Sequence, residues 1–283
     1  MLPKKVFLPL GGGDELKERI KGALFIAKYL GAHLEVLRSE TVSKKTISSE
    51  GFAPKHLIDK MNDLNQQIEV GTTNRYKNVF KEACDELNVQ ITEDTVADGN
   101  ATASLIIDQG LRSTLVAQYG KLCDMVIAAC PPGNVPTATF QAAVLYSGKP
   151  VIMIPRVLEE FDPSKIIIFW NASTESSRAI DGAMPFLKRA KEVLIVTRQN
   201  TEDKKPTIFD IQKYLAIHDI DAKCEIVIPA KVRGEALLKK TIDGGYGLIV
   251  AGAYAQGKIK EKMFGGLTTY LLEHTKVPVL SAH

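Results

Sequence analysis

The chain has 283 residues, 45% hydrophobic and 24% charged, with 36 basic against 33 acidic side chains for a formal net charge of +3. That length suits two domains of about 140 residues, each with apolar mass for its own core. The small basic excess is scattered, with short pairs such as Lys44-Lys45 and Lys239-Lys240 reading as solvated faces, so it lacks the basic stripe of a nucleic-acid binder.

Apolar runs fall well short of the roughly 20 residues of a membrane span, so neither nucleic acid nor membrane is expected as a partner. The first residues show no apolar stretch followed by a small-residue cleavage site, which argues against a signal peptide. Cys84, Cys123, Cys130 and Cys224 form no Cys-x-x-Cys pair and suggest packed, reduced thiols. Together these features give a cytoplasmic expectation.

In chain order, Lys5 to Leu10 reads as a strand, Gly11-Gly12-Gly13 as a tight turn, then an amphipathic helix and a strand from His33 to Leu37. Asp14 and Glu15 suit the first turn of that helix and oppose a phosphate there. Leu57, Met61, Leu64 and Ile68 have helical spacing, continued from Tyr76 to Leu87, which predicts one or two long helices over about 40–88. A third strand is expected near 89–96, a fourth within Asp124 to Cys130, and a fifth from Pro150.

The same order then repeats. Strand Ile166 to Trp170, a polar turn Asn171-Ala172-Ser173, a helix and strand Val193 to Val196 match the beginning at an offset of 160 residues, which places Ala23 on Ala183. A third strand is expected near 224–229. Asp124 to Cys130 matches Tyr246 to Gly252 at an offset of 122, and Pro150 matches Pro278 at 128. The first copy therefore carries 38 more residues in its middle and six fewer near its end. The spacing predicts two α/β domains, 1–160 and 161–283, with Asp162-Pro163-Ser164 at the seam. Each is a doubly wound, parallel, five-stranded sheet covered by helices, with a ligand expected at the carboxyl ends of the strands where their order switches.

The second copy's fourth strand leads into a loop of residues 252–266, from Gly252 to Gly265-Gly266, followed by Thr268 and a helix over 267–274. Glycines and free N–H groups ahead of a helix can cradle a phosphate. Gly252, Gly257 and Lys258 also approach a phosphate-binding P-loop, but Ile259 has no hydroxyl for Mg²⁺. The first copy's counterpart, Cys130 to Pro136, is proline-rich and offers fewer amides, so no nucleotide is expected there in the manner of the second copy.

The loop, the strand end Trp170-Asn171-Ala172-Ser173 and the last strand Val277 to Leu280 resemble the universal stress protein family. That family carries Gly-x-x-Gly, nine residues, then Gly-Ser or Gly-Thr. Here Ala255 stands for the second glycine, Gly266 for the hydroxyl residue, and Asn171 for the usual aspartate. The resemblance implies an adenine nucleotide alpha hydrolase-like fold, with the two copies packed as an internal pseudo-dimer through Val151–Ile154 and 277–281. It also implies ATP with Mg²⁺ held by Asn171, Ala172, Ser173, Val196, Gly252, Ala255, Gly265, Gly266 and Thr268. A vestigial loop, or another ligand in the same cleft, is the alternative.

No histidine has a partner at metal-ligand spacing, and no Gly-x-Ser-x-Gly elbow supports a hydrolase, so no catalytic residue or metal ligand is expected. His33 reads as strand packing, and His218 and His274 as helix-end residues. The favoured reading is a stress-response protein that binds a small ligand or nucleotide and can further form a homodimer. The alternatives are a slow ATPase or nucleotidyl-transfer enzyme, and a ligandless adaptor or carrier of another metabolite.

Overall fold

A computed structural model describes residues 2–11, 13–40, 55–93, 99–131, 137–228, 234–253, 270–271 and 274–283, with backbone alone for 55–70 and 200. Strand β1 (Lys5–Leu10), helix α1 (Leu16–Leu30), β2 (His33–Glu40) and α2 (Lys55–Glu86) open the chain. There follow β3 (Gln90–Ile91), β4 (Thr102–Gln109), α3 (Arg112–Tyr119), β5 (Met125–Ala129), α4 (Ala138–Tyr146) and β6 (Val151–Ile154). The second half comprises β7 (Lys165–Phe169), α5 (Thr174–Leu187), β8 (Glu192–Arg198), α6 (Ile208–Ile217), β9 (Ala222–Val227), α7 (Glu235–Asp243), β10 (Leu248–Ala251) and β11 (Val279–Ser281).

All eleven strands join one sheet in the order β3-β4-β2-β1-β5-β6-β11-β10-β7-β8-β9. Within each half the pairing is parallel and the five main strands follow the same order, 3-2-1-4-5. The halves meet where β6 pairs antiparallel with β11, Leu280 opposite Ile152. This is the expected edge-to-edge pseudo-dimer, and it closes two edges that would otherwise present unpaired backbone groups.

Alternation along each strand feeds two helix layers. Val6, Leu8, Ile166 and Ile168 pack beneath α1, α2, α5 and α6 on one face. Phe7, Val126, Ile167 and Phe169 pack with residues of α3, α4 and α7 on the other. Equivalent glycines repeat the close approach of helix to sheet. A Cβ on Gly22 would lie 2.9 Å from Ile154 Cδ1, and one on Gly182, 160 residues later, 2.7 Å from the Pro150 ring. Tyr29, Phe161 and Phe186 then form an aromatic cluster across the two halves, with ring centroids 5.5–5.9 Å apart.

One expectation about the first half changes. Its third main strand is β4, not 89–96; among the described residues of that segment only Gln90 and Ile91 pair, at the sheet edge, and both are exposed. The buried place beside β2 goes to Thr102–Gln109, with His33 opposite Thr102. The long segment before it is one helix of 32 residues, where α6 has 10. Tyr76, Phe80, Ala83 and Cys84, at helical spacing, bury its described apolar face. Lys17 and Lys21 of α1 bridge to Glu86 on α2.

Candidate functional site

Strand order reverses between β7 and β10 in the second half and between β1 and β5 in the first. At both points the chain leaves neighbouring strands in opposite lateral directions, which opens a cleft above their carboxyl ends.

In the second half β7 runs into buried Trp170, whose Nε1–H donates to the Pro206 carbonyl at 2.7 Å and whose N–H donates to the Val196 carbonyl at 2.8 Å. Asn171 Oδ1 accepts the Ser173 N–H at 3.0 Å, and Ala172 takes a left-handed φ of 61°. Ser173 then caps α5, its Oγ accepting the Ser176 N–H at 3.2 Å. These polar atoms thus fix the sharp turn into α5.

Gly252 follows β10 and faces that turn. A Cβ there would stand 2.6 Å from Ser176 N and 2.9 Å from Glu175 C. The glycine is therefore required for packing, whatever it also does for a ligand. Val196 is fully buried among Phe169 and Ile167, so its side chain faces the core. The structure brings Asn171, Ala172, Ser173 and Gly252 to one place, with Val196 beneath through Trp170. Ala255, Gly265, Gly266 and Thr268 lie outside the described residues, as do Gly257, Lys258 and Ile259.

The first half's cleft is of another kind. It encloses about 130 Å³ and is lined by Pro9 of β1 and Gly11 just after it, Ala129 of β5 and Cys130 just after it, Thr137 at the cap of α4, and Arg19, Arg112 and Arg156. Arg19 is 4% exposed, an arginine in the apolar face of α1. Its Nε donates to the Glu15 carbonyl at 3.2 Å and its Nη1 to the Gly11 carbonyl at 3.3 Å, while Nη2 is buried with no acceptor. Arg112 uses Nε on Ser39 Oγ at 3.0 Å. Burial, and then the charge of Arg156, push the Arg19 guanidinium below its ordinary range; burial followed by the charge of Arg38 does the same to Arg112.

Of these groups only Arg156 has a carboxylate partner among the described residues. Its Nε and Nη2 both lie 2.7 Å from Glu15 Oε2, and Nη2 also donates to the Asp14 carbonyl at 2.8 Å. Nearby Arg38 lies over the Tyr76 ring at 4.2 Å, its Nε buried with no hydrogen-bond partner among the described residues. Sequence reasoning passed over these arginines because they are far apart in the chain. The available signal was an arginine at an apolar α1 position and others just beyond the ends of β4 and β6.

Several other groups pack or cap elements of the fold. Burial pushes the thiols of Cys84, Cys123 and Cys130 up to about 12, so they are inert neutral side chains. His33 is buried between Thr102 Oγ1 at 2.8 Å and Ser104 Oγ at 2.9 Å, and burial lowers its pKa. His218 caps α6 beside Tyr214, and His274 stacks on Tyr270. Among the described residues no group of His, Cys, Asp or Glu could hold a metal, and no helix is long and apolar enough to cross a membrane.

No family model matches the chain, and no curated protein matches it. Solved structures do. A universal stress protein from Archaeoglobus fulgidus superposes with a TM-score of 0.62 at 13% identity, over 98% of this chain and 94% of that one. A functionally unknown protein from Pseudomonas aeruginosa gives 0.54 at 16%, over 98% and 92%.

Proposed function

We propose that this chain, built as two tandem copies of the universal stress protein fold, is a stress-response protein whose second copy binds a small ligand, foremost an adenine nucleotide. The observation that supports the reading is the switch point between β7 and β10. There Gly252 presses against the start of α5 and begins the glycine loop of residues 252–266. Amides of such a loop, aided by Thr268, would hold the phosphates of ATP with its Mg²⁺. Asn171 would supply an amide where a carboxylate is usual. Its Oδ1 is committed to Ser173, which leaves the side-chain NH₂ as the donor available to a ligand.

Binding rather than turnover is the output this geometry favours. Around the described part of the cleft the polar side chains Asn171, Ser173 and Ser176 bond to one another and to the backbone of the turn, and none is placed as a general base. Free thiols at Cys84, Cys123, Cys130 and Cys224 fit a reducing, cytoplasmic setting. With the last strands paired internally, a homodimer would have to use another surface.

ATP titration of the wild type and Gly265→Asp, with mass spectrometry of co-purifying small molecules, tests this. Saturable binding lost in the variant, without hydrolysis, is the expected result. Multiple turnover would identify a slow ATPase or nucleotidyl-transfer enzyme instead. Absence of binding and of any melting shift at millimolar ATP would overturn the nucleotide and leave an adaptor or a carrier of another metabolite.

A further inference from the structure

We infer that the first copy's cleft is a second, separate ligand site, in which guanidinium groups rather than a glycine loop bind a small phosphate-type oxyanion. The site goes beyond the nucleotide reading, since it lies in the other half and uses none of its residues.

The argument begins with uncompensated charge. Arg19, Arg112 and Arg156 line a single cleft, and Glu15 is the carboxylate paired with them among the described residues. Among the described residues the cleft therefore holds a net excess of two positive charges. Burying charge without a partner is costly, and folds tolerate it where a ligand supplies the missing charge. Arg19 is 4% exposed, and its Nη2 has no acceptor among the described residues. It is fixed in place by the carbonyls of Glu15 and Gly11, so its guanidinium is rigid before a ligand arrives.

Gly11 shows how the groups converge. A Cβ on it would lie 3.4 Å from Arg112 Nη1 and 3.8 Å from Arg19 Nη1, so two guanidinium forks approach one point at the end of β1. Arg112 is held through Nε by Ser39, and among the described residues its two Nη groups have no acceptor. Parallel N–H donors on planar forks match the paired oxygens of a phosphate or phosphate monoester. The start of α4 borders the same space, with Thr137 as its cap, and adds the positive end of a helix dipole. Glu15, which would repel an anion, is neutralised by Arg156.

Calorimetric titration with inorganic phosphate and with glycerol 3-phosphate, at fixed ionic strength and against chloride, tests the site. The full chain and the variants Arg112→Gln, Arg112→Lys, Arg19→Met and Lys239→Gln are compared. The last removes an exposed charge on α7 and controls for overall charge. Saturable binding is expected, weakened about tenfold or more in Arg112→Gln, less in Arg112→Lys, and unchanged in Lys239→Gln. Arg19→Met is expected to lose binding as well; should it melt early, the Arg112 pair carries the result. Tighter binding of inorganic phosphate points to the free ion and tighter binding of the ester to a phosphorylated metabolite, and either supports the site. No saturation by 10 mM of either probe, or equal affinity in Arg112→Gln and Lys239→Gln, would overturn it. Gly265→Asp separates the two proposals, because it is expected to abolish ATP binding and leave phosphate binding intact.

Discussion

The two clefts occupy equivalent places in a repeated fold and are built from different chemistry. In the second copy the described residues at the opening, Asn171, Ser173 and Gly252, are consumed by the turn into α5. In the first copy Arg19 and Arg156 hold the turn after β1, and of the three arginines that line the cleft Arg19 and Arg112 have no carboxylate partner among the described residues. The topological opening is repeated, while the described groups at it differ: turn-forming side chains in the second copy and guanidiniums in the first.

The largest expected effect concerns the glycines at the two strand ends. Gly252→Ala places a Cβ 2.6 Å from a backbone nitrogen and should cost about 1–3 kcal/mol. Gly11→Ala meets only the side-chain tips of Arg112 at 3.4 Å and Arg19 at 3.8 Å and should cost well under 1 kcal/mol. Chemical denaturation of both variants reads the difference, and equal losses would break the contrast between the sites.

Acid should also separate the halves. His33 is held neutral by burial, although Glu35 works against that shift and Lys5 with it. Its pKa in the fold is below the ordinary value of about 6.5, so the unfolded chain binds the proton more readily. The stability it contributes is present above that value and is lost as pH falls through it. The second half has Val193 at the equivalent position. Amides of β2 and β4 should therefore lose exchange protection below about pH 6 before those of β8 and β9. Replacing His33 with Asn should remove the difference.

Smaller effects test the first cleft. Glu15→Gln removes the partner of Arg156, which is partly exposed, so stability should fall by about 0–1 kcal/mol. Phosphate should bind more tightly, because the cleft gains positive charge. Thiol labelling at pH 7.5 should be slow for Cys84, Cys123 and Cys130, with Cys224, partly exposed, reacting first.

Much of the fold was legible because each half repeats the same buried strands with helical apolar spacing between them, and the offset from Val6 to Ile166 reappears in the paired glycines Gly22 and Gly182. The third strand of the first half was misread because Gln90 and Ile91 look like a strand start, yet the long α2 crossover delivers the chain to the edge before β4 enters beside β2. The second cleft was legible in part, through Gly252 and the turn after Trp170. The first was not, since Arg19 on α1, Arg112 at the start of α3 and Arg156 after β6 meet only where the folded sheet gathers those three segments beside the end of β1.

Hydrogen exchange with each ligand on the same protein tests the account most directly. Inorganic phosphate should slow exchange at the starts of α1 and α4, and ATP at the start of α5 and through residues 252–270. Protection of one shared segment by both ligands, or of neither region, would contradict two clefts of different chemistry.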